Sequence, residues 1–217
     1  MKYLLSFVCV LTFGVSFAQG EMEPFHKISV FGNIELILKQ GDTHFVDVQE
    51  HQEDIKIKVD EGKLKISHKH NEKMWSNPTM VTVTYNRLTS LDISAGAHAE
   101  HEGVMKVGDI SISTDAGASA RFEIEASGID CIVGEGGVLT LKGRTRVLEA
   151  KATTGAVLKA NDLEAEAAYV RANTGGDIIV HALEHIEASA MMGGVITVIG
   201  DPGVVRINES LGGTVNH

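Results

Sequence analysis

The chain is poor in cysteine, proline, aromatic residues and positive charge. Two cysteines in 217 residues exclude a disulfide-stapled scaffold and a zinc site built from four cysteines. Three prolines exclude a proline-rich disordered chain. Aromatics at 5% argue against a core wedged apart by large rings. The formal net charge of −10 argues against a nucleic-acid partner, because such proteins carry a basic face. What is abundant is glycine, with 23 copies, and apolar residues at 43%. Glycine without proline suggests many tight turns. The length suits one domain or two small ones, with enough apolar material for a sizeable core.

Long apolar runs are scarce too, and the one present is at the start. Met1-Lys2 is a short basic opening, and Tyr3 to Phe17 is almost unbroken apolar sequence. It ends in Ser16-Phe17-Ala18, with small residues at −3 and −1 of a cut after Ala18. This pattern predicts a secretory signal over residues 1–18. A membrane anchor needs about 20 apolar residues and stronger flanks. Cys9 follows Val8, where a lipoprotein signal has a small residue, so no lipid anchor is expected. Cleavage removes Lys2 alone among charged residues, giving 18 − 29 = −11 for residues 19–217. The remaining Cys131 can form no internal disulfide. No later run approaches membrane-spanning length. The expected location is exported: periplasm, cell surface or extracellular.

Residues 91–217 carry a repeat. Small-residue turns stand at Gly96-Ala97, Gly117-Ala118, Gly136-Gly137, Gly155-Ala156, Gly175-Gly176, Gly193-Gly194 and Gly212-Gly213. Their spacings are 21, 19, 19, 20, 18 and 19. Five residues before the last six of these glycines stand Ile112, Cys131, Ala150, Val170, Ala188 and Ile207. Three after stand Ala120, Leu139, Leu158, Ile178, Ile196 and Val215. The residues between are mostly polar, a period of 2 on each side of the turn. Such a strand–turn–strand unit cannot bury its apolar face alone, but stacked copies can. The prediction is all-β: a single-stranded parallel β-helix of about seven coils of about 19 residues. Small inward residues such as Ala150, Ala188 and Ala190 suit a narrow lumen. No leucine-rich ladder, repeated Gly-x-Asp turn or longer propeller blade is present, and no helical period emerges.

Residues 19–90 are β-rich but off this repeat, and predict a cap or start for the same single domain over 19–217. Candidate strands are Phe25–Val30, Ile34–Leu38, Phe45–Gln49, Ile55–Val59, Lys63–Ser67 and Met80–Tyr85. Turn signals at Phe31-Gly32-Asn33, Gln40-Gly41-Asp42 and Asp60-Glu61-Gly62 separate them. A polar loop, His68 to Pro78, contains the only tryptophan, Trp75. Its ring could stack on a sugar, dock a partner, or plug the gap between cap and solenoid.

The opening Phe25-His26-Lys27-Ile28-Ser29-Val30-Phe31-Gly32-Asn33-Ile34-Glu35-Leu36, the segment Asp60-Glu61-Gly62-Lys63-Leu64-Lys65-Ile66 and the glycine-centred repeats carry a resemblance. Over nearly all of residues 19–217 the chain resembles the auto-transporter adhesin head GIN domain family, common in exported proteins of Bacteroidetes. The resemblance implies a single-stranded parallel β-helix with an adhesive role. It carries no catalytic residues over.

The chemistry-bearing residues are weighed one by one. His98 and His101 are i and i+3 in a strand, so their rings face opposite sides and do not converge on a metal. His68 and His70 share a face but lack a third ligand. No metal and no cofactor are therefore expected. The 29 acidic residues do not single out a carboxylate pair of the glycosidase kind, and no coil concentrates Asp with Arg as a calcium-dependent lyase would. No nucleophile elbow, phosphate loop or dinucleotide fingerprint is present. Two outward ladders remain. Six before the turn glycine stand Ser111, Asp130, Glu149, Tyr169, Glu187 and Arg206; four before stand Ser113, Ile132, Lys151, Arg171, Ser189 and Asn208. They make a flat mixed-charge face with Tyr169 near its middle, either merely solvated or able to bind a glycan or protein. The candidate ligand residues are Trp75, Tyr169 and Arg171. The leading expectation is an exported, non-catalytic adhesin-like module contacting glycan or cell-surface protein, with homo-oligomerisation left open. The alternatives are a β-helix polysaccharide-degrading enzyme and a cell-envelope scaffold. One column fixes where the solenoid should start. Glu100 should stand beside Arg121, and His101, above Phe122, breaks the apolar column, so the Gly96 coil should be the first.

Overall fold

The structure, a computed structural model, describes residues 22–49, 52–69 and 78–217. The signal segment, His70 and Trp75 lie outside them. Strand spacing follows the sequence alternation closely. The N-terminal part folds as β1 (Lys27–Phe31), β2 (Ile34–Gln40), β3 (Phe45–Val48), β4 (Ile55–Asp60), β5 (Lys63–His68) and β6 (Thr79–Tyr85). The repeats follow as β7 (Ser90–Ser94), β8 (His98–Lys106), β9 (Asp109–Thr114), β10 (Ser119–Val133), β11 (Val138–Thr153), β12 (Val157–Asn173) and β13 (Asp177–Met191). The last are β14 (Val195–Ile199), β15 (Val204–Ser210) and β16 (Thr214–Asn216). The whole is a parallel β-solenoid of about 7 turns about 19 residues apart.

Each coil stacks on the next in parallel register, so one inward position of the repeat becomes one buried column. Leu139 pairs Leu158, Leu158 pairs Ile178, and Ile178 pairs Ile196. All four are fully buried. Burying each such side chain contributes about 1.5–3 kcal/mol, which no single coil could collect alone. The alternate residues face outward and are mostly polar, with exceptions such as Ile132 and Tyr169, so the alternation read in the sequence fixes both faces at once.

The N-terminal part is not merely off the repeat. Strand β1 pairs in parallel with both β5 and β7, and β2 with both β6 and β8. Residues 27–40 therefore form a full coil of their own. The coil of β5 and β6 lies outside it, and the chain then crosses over to lay β7 and β8 on its other side. This corrects the expectation that the Gly96 coil is the first: two coils precede it in the stack. The outermost coil is covered by β4 antiparallel to β5 and by β3 antiparallel to β6. Reversed, charged strands such as Ile55-Lys56-Ile57-Lys58 blunt an edge that would otherwise template further pairing.

The corners have a shared geometry. Gly96, Gly117, Gly136, Gly155, Gly175, Gly193 and Gly212 have φ between 71° and 78°. The residue before each also has positive φ, near 50°: Ala95, Ala116, Glu135, Thr154, Thr174, Met192 and Leu211. Two consecutive positive φ values closed by an i to i+3 bond, as from Gly137 N–H to the Gly134 carbonyl at 2.8 Å, are the pattern of a type I′ turn. The left-handed conformation is costly for the β-branched Thr154 and Thr174. It is held by a ladder that continues through the corners. Gly136 N–H donates to the Thr154 carbonyl at 3.1 Å, and Gly155 N–H to that of Thr174 at 3.2 Å.

Cys131 sits in the lumen, fully buried between Ile112 and Ala150. Burial pushes its thiol well above the ordinary range, with the Asp130 charge adding to the effect. The thiolate is the nucleophile, so the residue should be inert. Native protein is expected to resist a thiol reagent for hours and to label fully in denaturant; rapid native labelling would place Cys131 outside the lumen.

Candidate functional site

The outward residues ahead of the turns come together on one face. The parallel register aligns Asp130, Glu149, Tyr169, Glu187 and Arg206 in one column, and Ile132, Lys151, Arg171, Ser189 and Asn208 in the next. These two columns line an open depression of about 460 Å³. Tyr169 stands at its middle with 40% of its surface exposed, although the strand on which it lies is otherwise anchored by the buried Ala168 and Val170. The His185 ring lies 5.4 Å from the Tyr169 ring, tilted by 41°. Glu187 is held by Arg206 at 2.6 Å and by His185 Nε2 at 3.2 Å. The Arg206 hydrogen bond keeps the Glu187 carboxyl below its ordinary range; burial opposes it, and His185 adds a lesser lowering effect. Glu187 is thus neutralised by its neighbours, and Tyr169 presents a braced ring to solvent.

A second depression, of about 600 Å³, adjoins the first. Both are lined by Asp130 and Glu149, and the second adds Arg87, Asp109 and Arg146. The candidate surface therefore runs on along the solenoid. Arg87 and Arg146 escaped the sequence reading because they lie in a loop and at a corner. Only the coil-to-coil register, applied across the corner, would have brought them to this face.

The histidines are placed separately. His98 Nδ1 is 2.8 Å from the Ser119 hydroxyl and its Nε2 is 3.2 Å from Glu100. The Glu100 backbone pairs with Arg121 as the column requires, but its carboxylate turns to His98. His101 does not cap an open lumen. Strand β8 bulges between the Glu100–Arg121 and Val104–Glu123 pairs, so His101, Glu102 and Gly103 together oppose Phe122. The His101 ring instead lies 5.9 Å from that of Tyr85, with Nδ1 3.0 Å from the Gly103 carbonyl. His68 Nε2 is 3.3 Å from the Asn33 carbonyl. Among the described residues no group of three or more His, Cys, Asp or Glu is arranged to hold a metal.

Burial lowers the proton affinity of His101; the Gly103 carbonyl and Glu102 oppose this only in part. The folded group therefore titrates below the unfolded one, whose pKa is about 6.5. For a histidine so shifted, the stabilisation is present above the unfolded pKa and is lost as pH falls below it, because the unfolded chain takes up the proton first. The melting temperature of the native protein is expected to fall more steeply than that of His101→Gln between about pH 7 and about pH 5. Parallel profiles for the two proteins would show that His101 is not the group responsible.

Fold and face together define a parallel β-solenoid that offers an open polar surface rather than an enclosed pocket. The chain belongs to the family described as putative auto-transporter adhesin, head GIN domain, which matches residues 24–202. No curated protein matches it. Among solved structures it is similar to a putative adhesin from Bacteroides fragilis, with a TM-score of 0.82 at 16% identity, covering 91% of this chain and 94% of that one. A putative adhesin from Parabacteroides distasonis follows with a TM-score of 0.67 at 20% identity over 90% and 93%. A putative lipid binding protein from Parabacteroides distasonis has a TM-score of 0.63 at 16% identity over 91% and 94%. At these identities the likeness is one of fold. Among the described residues no helix is long and apolar enough to cross a membrane.

Proposed function

We propose that the chain is an exported, non-catalytic binding module that contacts glycan through the face centred on Tyr169 and Arg171. The observation that carries this reading is the exposed Tyr169 ring, braced by His185 and set in an open groove of hydrogen-bonding side chains. A sugar offers an apolar face to stack on such a ring and hydroxyls for the flanking polar groups. The lumen, filled by side chains such as Leu139, Leu141 and Leu158, leaves the outer face as the place for a ligand. Family membership and the signal pattern of residues 1–18 support exposure at or beyond the cell envelope. The test is a glycan array combined with a polysaccharide-cleavage screen. Retention of at least one glycan class is expected, weakened roughly tenfold by Tyr169→Ala, since a stacked ring contributes about 1–2 kcal/mol. Cleavage of any glycan would establish the enzyme alternative instead. Absence of all glycan binding would favour a scaffold.

A further inference from the structure

Resting on that reading, the geometry points to an acidic glycan, one bearing uronate carboxylates, as the ligand of the Tyr169 face. Lys151 and Arg171 are direct cross-strand partners in the parallel register of β11 and β12. Both are exposed, and both line the depression. Like charges so placed, about 4.8 Å apart at the backbone, repel one another. In two other such pairs of the described residues, at least one of the cations meets a carboxylate. Lys58 and Lys65 are cross-strand partners and share Asp60; Lys63, the partner of Lys27, takes Asp92. Lys151 and Arg171 have no such anion: neither takes an ion pair or side-chain hydrogen bond among the described residues. The chain's net charge of −10 makes an uncompensated cation pair the more unusual, since acidic partners were available in excess.

The rest of the face fits a sugar rather than a bare anion. A carboxylate set between Lys151 and Arg171 would be gripped by an ammonium and a planar guanidinium fork. Tyr169, two residues before Arg171 on the same strand face, would lie under the sugar ring. Asp130 and Glu149, acceptors only when ionised, would take hydroxyl protons and would repel a second anion at that place. Cation pair, ring and acceptors thus correspond to the carboxylate, apolar face and hydroxyls of one hexuronate. The adjoining depression has no aromatic ring but again sets cations, Arg87 and Arg146, among acceptors such as Asp109. It would take a further acidic unit of the same chain.

The experiment compares full-length processed protein with oligogalacturonate, a neutral galactan oligomer of equal length, and polyglutamate, by calorimetry or by retardation in an affinity gel. Binding of oligogalacturonate is expected, at least about tenfold tighter than of the neutral oligomer, and weakening as salt rises. Lys151→Gln with Arg171→Gln should abolish that preference while leaving the melting temperature unchanged, because both side chains are exposed. Tyr169→Ala should weaken both sugars alike. If the neutral oligomer binds as tightly and the double substitution has no effect, the acidic specificity is wrong while glycan binding stands. If polyglutamate matches oligogalacturonate, the face is a general anion surface and the inference fails. If neither sugar binds, the glycan reading itself falls and takes the inference with it.

Discussion

Gly143→Ala should lower the melting temperature by roughly 10 °C. Gly143 lies in the inward column between Ile124 and Leu163, both fully buried, at a second corner of its coil. Its φ is 109°, a conformation that a side chain strongly disfavours. A Cβ there would also fall 2.2 Å from the Ile124 carbonyl oxygen, which is backbone and bonded into the ladder. Neither problem can be relieved by turning a side chain. The strain and the displaced backbone together cost about 3–5 kcal/mol, and each kcal/mol is worth about 2–4 °C in a protein of this size. The type I′ corners make the control. Gly155 and Gly175 have φ of 71° and 74°, and a Cβ at either meets nothing within 4 Å. Gly155→Ala should therefore cost only about 1 kcal/mol, the penalty of the left-handed region alone. The β-branched Gly155→Val should cost more than the alanine variant. Thermal unfolding of the variants side by side decides the matter. Equal losses at 143 and 155 would mean that backbone contact at Gly143 is relieved by a small shift of the coil.

The difference between these glycines was not legible in the sequence. The corner glycines recur every coil, so their period exposes them. Gly143 has no counterpart in its neighbours, where Ile124 and Asp162 stand seven residues beyond the turn glycine. Its φ is set by how one coil turns its second corner, which no periodicity records. Thr154 and Thr174 were equally opaque. Nothing in a threonine announces positive φ; the coil-to-coil hydrogen bonds impose it.

The solenoid was legible for the opposite reason. A period of 2 within strands and about 19 between them leaves a stack of parallel strands as the solution that buries the inward apolar positions of the stacked coils, although Val205 and Ile207 of the last described coil, with no coil beyond them, remain exposed. All six N-terminal strands were placed within two residues. The order of the first coils was hidden because β1 sits between β5 and β7, two strands that both come later in the chain. Alternation tells which face of a strand is apolar but not which strand lies beside it. The two columns of the candidate face could be written down because register follows from the repeat. Which charges in those columns are satisfied could not. Glu187 reaches Arg206, Glu100 turns to His98 rather than Arg121, and Lys151 and Arg171 meet no carboxylate. Those choices depend on rotamers and on neighbouring coils.

Phe122→Ala should be about as damaging as the change at Gly143, by the opposite mechanism. Phe122, 1% exposed, is among the few rings in a lumen otherwise filled by aliphatic side chains. It stacks on Leu141 of the next coil and faces the β8 bulge on its other side. The bulge places three residues against one, so the space here is wider than at an ordinary coil, and the ring fills it. Alanine would leave a cavity bounded on one side by the paired strand of Leu141, which cannot move in to close it. A loss of about 3–5 kcal/mol is expected. Ala160, two coils on in the same column, shows that alanine itself is compatible with this lumen, so the cost must come from the unfilled volume. Phe122→Leu, which refills much of that volume, should therefore recover most of the stability in chemical denaturation. If Phe122→Leu unfolds as early as Phe122→Ala, the ring matters for its shape against His101 and the bulge rather than for the space it occupies.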